Sequence, residues 1–219
     1  MSVLYVYAIT DSRAEPRLEG LHGEPLRRIE GGELAALVSE HAVAPEPDEE
    51  LLWAHEQVVE DLMSQATVLP LRFGSTVERA EALSAMLAER REEFLQSLER
   101  VRGAVELSVR AELPAPSVET ASVRPRSGTA YLQERAERER REREAVELVH
   151  RPLAALARSS MPPGSPRDPR RFKAAYLVEE SSVEAFGNRV GQLNADLEGV
   201  RVSCTGPWPP YSFVAGDAA

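Results

Sequence analysis

The stretch Gly103-Ala104-Val105-Glu106-Leu107-Ser108-Val109-Arg110-Ala111-Glu112-Leu113 decides how this chain is read. Val105, Leu107, Val109, Ala111 and Leu113 alternate with Glu106, Ser108, Arg110 and Glu112. A period of two puts apolar side chains on one face of a strand and polar ones on the other. Just upstream the period is that of a helix. Ala80, Leu83, Leu87, Phe94, Leu98 and Val101 share one face of a segment from Val77 to Val101, with Arg90 interrupting it. Gly103 accepts the backbone conformation that stops a helix. The change of period at Gly103 places a domain boundary there, giving residues 1–103 and 104–219.

Downstream, Pro114 to Ser127 carries three prolines and reads as a loop. A long helix follows from Thr129 to Ala157, with Pro152 as a kink. Ser159 to Pro169 is rich in proline and serine and reads as an exposed connection. Ala174–Val178 is a strand. Val183–Leu197 is a helix with Val183, Phe186, Val190, Leu193 and Leu197 inward, and Val200–Cys204 is a last strand. The order β-α-β-α-β predicts an α+β fold, with helices on one face of a small sheet. It is a ferredoxin-like unit short of one strand.

Upstream, Val3–Thr10 is β-branched and aromatic, a buried strand. Leu26–Ile29 and Leu34–Val38 flank Gly31-Gly32, a hairpin signal, since glycine takes the positive φ of a tight turn. Asp48 is placed to cap a helix. Leu51, Leu52, His55, Val58, Val59, Leu62, Met63 and Ala66 then recur at helical spacing. Val68–Phe73 reads as a short strand ended by Gly74.

The chain has 219 residues, a formal net charge of −10 and a pI near 5.1. That balance disfavours nucleic acid and anionic membranes as partners. Lys173 is the one lysine and Cys204 the one cysteine, so no intrachain disulfide or thiolate metal cluster forms. No basic segment precedes the apolar Val3–Tyr7, and no run reaches the roughly 18 apolar residues of a membrane helix. The expected compartment is the cytoplasm.

The common catalytic templates are absent. His55 lies on an apolar helix face, but Val59 stands where an HExxH zinc motif needs its second histidine. His22, His41 and His150 are scattered. His55 therefore reads as a core histidine bonded to a neighbour rather than a base or ligand. There is no G-x-S-x-G elbow and no phosphate-cradling glycine loop. Glu49-Glu50 opens a helix, where acids suit the dipole. Glu179-Glu180 ends a strand and reads as solvated charge. Glu134–Glu144 carries five Arg and five Glu, which cancel. Its i, i+4 pairs, such as Glu134 with Arg138, make it a self-paired exposed helix, or an arm that meets a partner helix. No catalytic, cofactor-binding or metal-binding residue is assigned.

Two segments call for another account. In Val68-Leu69-Pro70-Leu71-Arg72-Phe73-Gly74 the proline confines a strand to an edge or bulge. Arg72, between Leu71 and Phe73, points away from both and fits either an acidic partner or an internal salt bridge. In Gly206-Pro207-Trp208-Pro209-Pro210-Tyr211-Ser212-Phe213 three prolines exclude helix and central strand. Trp208, Tyr211 and Phe213 are either interface anchors or a seal under the C-terminal sheet. The candidate protein-interaction residues are thus Leu71, Arg72, Phe73, Trp208, Tyr211 and Phe213.

These segments carry a resemblance. Tyr5-Val6-Tyr7, His55-Glu56, Val68–Gly74, Gly103–Leu107, Gly128–Leu132, Ala174–Val178 and Gly206–Phe213 follow, in order and spacing, the pattern of the GvpF/GvpL family of gas vesicle proteins. The LPLRFG and GPWPPYSF runs are the specific signals, and the resemblance leans to GvpF. It implies a two-domain α+β protein whose C-terminal domain is a modified ferredoxin-like fold. It also implies a non-enzymatic accessory or minor structural role in gas vesicle assembly. The implied partners are the small hydrophobic main shell protein and other gas vesicle accessory proteins, with the gas vesicle as location. Two other readings stay open. One is an enzyme on a ferredoxin-like scaffold, with His55 the first place to look. The other is a scaffold that oligomerises through the long helix and its apolar ends at Leu148 and Leu153.

Overall fold

The computed structural model describes residues 2–11, 13, 14, 16–112, 128–161 and 171–214, with only part of the side chains between 128 and 145. The chain forms mixed helix and antiparallel sheet, in two compact units: Met1–Val105 with Trp208–Ala219, and Glu106–Pro207.

In the first unit, β1 (Val3–Thr10), β2 (Arg27–Gly31), β3 (Leu34–His41) and β4 (Leu69–Pro70) lie in the order β2-β3-β1-β4, and β5 (Thr76–Val77) also pairs with β1. The β2–β3 hairpin turns at Gly32, whose φ of 69° explains its glycine, and Gly31 pairs with Leu34. β1 runs antiparallel to β3 with a shift of register between Val6 and Ala8, where Tyr7 is the extra residue. Two residues apart on β1, Tyr5 and Tyr7 enter the same core, against Leu51, Val58, Val59 and Leu62 of α1 (Glu49–Met63). Asp48 caps α1, its Oδ1 accepting from the Leu51 N–H at 2.7 Å.

Several local expectations change. The strand expected over Val68–Phe73 shrinks to Leu69–Pro70, because Pro70 has no N–H to continue a ladder. Just beyond it the Leu71 N–H bonds to the Tyr7 carbonyl at 2.8 Å. Val77 belongs to a strand, paired with Leu4, not to a helix. The single helix expected to Val101 is two, α2 (Ala80–Glu89) and α3 (Arg91–Val101). The break is at Arg90 (φ −97°, ψ 20°). Its guanidinium folds onto Glu93 and lies 5.0 Å from the Phe94 ring centre. Gly103, at φ 65°, ends α3 as expected.

The second unit runs β6 (Ala104–Glu112), α4 (Gly128–Ala154), β7 (Ser159–Met161), β8 (Arg171–Glu179), α5 (Val183–Asp196) and β9 (Arg201–Trp208). The sheet order is β7-β8-β6-β9. β7 is a fourth strand, one more than the sequence pattern predicts. Ser159, Ser160 and Met161 pair with Leu177, Tyr176 and Ala175 where a connection was expected. The loops expected at Pro114–Ser127 and after Met161 lie outside the described residues. The core joins Val109, Val149, Leu153, Tyr176, Phe186 and Val190. Leu153 is thus interior, while Leu148 stays exposed.

β9 is longer than expected and includes Gly206 and Pro207, which an edge strand tolerates. On this edge Asn194 of α5 grips the Val202 backbone: its side-chain oxygen accepts from the Val202 N–H and its amide donates to the Val202 carbonyl, each at 2.8 Å. The segment from Trp208 onward groups with the first unit, although the sequence reading assigned it to the C-terminal half. The reason is that Tyr211 bonds to α1 residues and Phe213 is buried.

Candidate functional site

The most organised polar site is a buried aromatic cluster in the first unit. β1 supplies Tyr5 and Tyr7, α1 supplies His55 and Glu56, the LPLRFG segment supplies the Leu71 carbonyl and Phe73, and the C-terminal turn supplies Tyr211. His55 Nδ1 is 3.0 Å from the Tyr5 hydroxyl, and Nε2 is 3.0 Å from the Leu71 carbonyl oxygen and 3.2 Å from the Tyr211 hydroxyl.

A carbonyl only accepts, so Nε2 carries the proton and Nδ1 accepts from Tyr5. The Tyr5 oxygen in turn accepts from the Gly74 N–H at 3.2 Å. Tyr211 donates to the Glu56 carboxylate. The rings of Tyr7 and Tyr211 stack on the imidazole, while Tyr5 and Phe73 meet it edge-on.

The electrostatics follow from burial. Desolvation pushes the His55 pKa down to about 4, against a smaller opposing effect of the Leu71 carbonyl. Desolvation raises Tyr5 and Tyr211, and it raises Glu56 despite the Tyr211 hydrogen bond. Near neutral pH His55 is therefore an uncharged imidazole with both nitrogens engaged. At 1% exposure it acts as a junction. This is the hydrogen-bonded core histidine expected from the sequence.

A second relay lies beside it. The Tyr7 hydroxyl accepts from the Leu21 N–H at 2.8 Å and lies 2.7 Å from Ser39 Oγ, which lies 2.7 Å from His41 Nε2. Ser39 and His41 have the pairing of a nucleophile and its base, but Ser39 is fully buried and so is held for structure. Gly20 is required here, since a Cβ on it would sit 2.7 Å from the Tyr7 hydroxyl oxygen.

The six candidate interaction residues divide. Leu71 and Phe213 are buried, Phe73 and Tyr211 are half-buried, and Arg72 and Trp208 are exposed. Leu71 and Tyr211 meet at His55 Nε2, and Phe73 packs on the same ring. Arg72 and Trp208 take no part in those contacts. Sequence reasoning missed Tyr5, Tyr7, Ser39 and His41 as a network. The available signal was two tyrosines two residues apart on a strand, opposite a histidine on an apolar helix stripe. Among the described residues no group of three or more His, Cys, Asp or Glu is placed to hold a metal ion. No helix among them is long and apolar enough to cross a membrane.

The chain as a whole has relatives. The gas vesicle synthesis protein GvpL/GvpF family profile matches residues 3–215. Gas vesicle protein F of Streptomyces sp. (strain CB03234) is 29% identical over 96% of this chain and 98% of its own length. Gas vesicle protein L of the same organism is 30% identical over 95% of this chain and 91% of its own length. In solved structures, the fold matches GvpF of Anabaena sp. PCC7120 (TM-score 0.83, 19% identity, 99% of this chain and 100% of that one). It also matches GvpF of Microcystis aeruginosa (TM-score 0.79, 18% identity, 97% and 98%). A family profile that spans residues 3–215, with relatives aligned over nearly the whole chain and a fold shared with two solved GvpF structures, makes this chain a member of the GvpL/GvpF family of gas vesicle proteins.

Proposed function

We propose that this chain is a non-enzymatic accessory or minor structural component that binds the small hydrophobic gas vesicle shell protein during assembly, on a two-domain scaffold. The sheet order β7-β8-β6-β9, with two helices linking its strands, supports reading the second domain as a modified ferredoxin-like unit.

One observation carries the binding reading. The two most distinctive segments, far apart in sequence, converge on His55, and each carries one large exposed side chain, Arg72 and Trp208. Rigid presentation of an arginine and a tryptophan is how protein interfaces place their anchors. The catalytic alternative is disfavoured by the same junction, whose imidazole is buried, uncharged and fully bonded.

The test is co-expression with the shell protein and pull-down on a tag attached to this chain, with an unrelated acidic protein as control. Retention of the shell protein supports the reading. Arg72→Ala and Trp208→Ala variants that stay folded and retain the shell protein as the parent does would remove these segments as the interface. No retention of soluble shell protein by the parent chain would remove direct binding.

A further inference from the structure

We propose that the outward face of α1 is a docking surface for a basic amphipathic helix of another protein, with Trp53 as its apolar anchor. The surface centres on Trp53 rather than on Arg72 or Trp208, and the proposal stands independently of the shell-protein reading.

Trp53 is 60% exposed and Leu52 44% exposed, on a helix whose opposite side is closed by Leu51, His55, Val58, Val59 and Leu62. At about 100° per residue Trp53 points directly away from that buried stripe, and Glu49, Glu56 and Glu60 fall within about 60° of it. A tryptophan in water leaves a large apolar surface unburied, and tryptophan is the residue most enriched among interface anchors.

Charge identifies the occupant. α1 has five acidic residues, Glu49, Glu50, Glu56, Glu60 and Asp61, and no lysine or arginine. Elsewhere several exposed carboxylates find arginines: Glu40 with Arg27, Glu33 with Arg91, Glu93 with Arg90, Glu179 with Arg158. Among the described residues Glu49, Glu50, Glu56 and Glu60 have no such partner. The helix dipole accounts for Glu49 and Glu50 in the first turn. It does not account for Glu60, which lies one turn from Glu56 and is repelled by it, while Glu56 accepts from the Tyr211 hydroxyl.

An apolar anchor lined by carboxylates without an arginine partner, on a helix with no lysine or arginine, fits a helix that brings an apolar row flanked by arginine or lysine at matching intervals. This is the arrangement of core and flanking positions in paired helices. An acidic or uncharged partner would leave the repulsion in place.

The test uses the full chain and a fluorescein-labelled, tryptophan-free synthetic helix of leucine, alanine and arginine, with a charge-reversed glutamate version as control. Fluorescence anisotropy should show saturable binding of the arginine helix only. Binding should weaken about tenfold or more in Trp53→Ala, and as much in a Glu49→Lys/Glu60→Lys chain. All these positions are exposed, so the fold should be kept, as circular dichroism would verify. In a Trp208→Phe chain the Trp53 emission should move to shorter wavelength as the arginine helix is added. Equal binding of both helices, no saturable binding, or unchanged affinity in both variants would overturn the proposal. So would a blue shift of Trp53 with rising protein concentration and no helix present, which would make a second copy of this chain the occupant.

Discussion

Replacing His55 by glutamine, and following stability against pH, tests the buried junction most directly. Glutamine can still accept from Tyr5 and donate toward the Leu71 carbonyl, but it does not titrate. The unfolded chain protonates His55 near 6.5, the folded one only near 4. Between those values the unfolded state binds more protons, so the contribution is fully present above about pH 6.5 and is lost as pH falls toward 4. The difference between the two pKa values, at about 1.4 kcal/mol per unit, comes to about 3 kcal/mol. His55 is almost wholly buried, so water screens little of this.

For a chain of this size about 3 kcal/mol corresponds to roughly 6–12 °C in melting temperature. The assay is thermal unfolding by circular dichroism at several pH values from 7.5 to 4.5, for the parent and for His55→Gln. His41, also lowered by burial, acts in the same direction, and Glu56, raised by burial, acts in the opposite one. Both remain in the variant, so the difference between the two curves isolates His55. The parent's advantage should shrink steadily as pH falls. A difference that stays flat to within about 2 °C would refute the buried, uncharged imidazole.

Other outcomes follow from single contacts. Asp48→Ala removes the cap of α1 and should destabilise by about 1 kcal/mol, seen as a small drop in melting temperature. Gly31→Ala places a methyl 2.5 Å from Leu87 Cβ and 2.7 Å from the Ser84 carbonyl oxygen, so α2 must shift; a loss of about 1–3 kcal/mol is expected in urea unfolding. Asn194→Leu releases both Val202 backbone groups on the β9 edge and should give concentration-dependent aggregation, measurable by light scattering. Leu153→Ala should cost about 2–5 kcal/mol, whereas Leu148→Ala, at an exposed position on the same helix, should change stability by less than about 0.5 kcal/mol.

What the sequence made legible was what local pattern controls. Val3–Thr10, the glycine hairpin, the Asp48 cap and the inward stripe of α5 all appear close to where their periodicity places them. Three features escaped for physical reasons. β7 is Ser-Ser-Met, with no β-branched alternation, and exists because β8 offers it a backbone to pair with. The break at Arg90 keeps the helical spacing of apolar residues on both sides, so periodicity passes through it unchanged. The partner of Tyr211 lies 156 residues away, and no local signal encodes that distance. The candidate site was legible as two unusual segments, and its junction was not. His55 could be recognised as a core histidine, but its bonds run to Tyr5 on the first strand, to the Leu71 carbonyl and to a turn at the far end of the chain.

The direction of the hydrogen bonds through that junction has a consequence for the LPLRFG loop. Gly74 donates to Tyr5, Tyr5 to His55, and His55 to Leu71, so a single chain of donors leaves the loop at one end and re-enters it at the other. The two residues between, Arg72 and Phe73, are strung across a closed circuit. A loop fixed in this way has already lost its conformational entropy when the protein folds, and a partner meeting it has less of that cost left to bear.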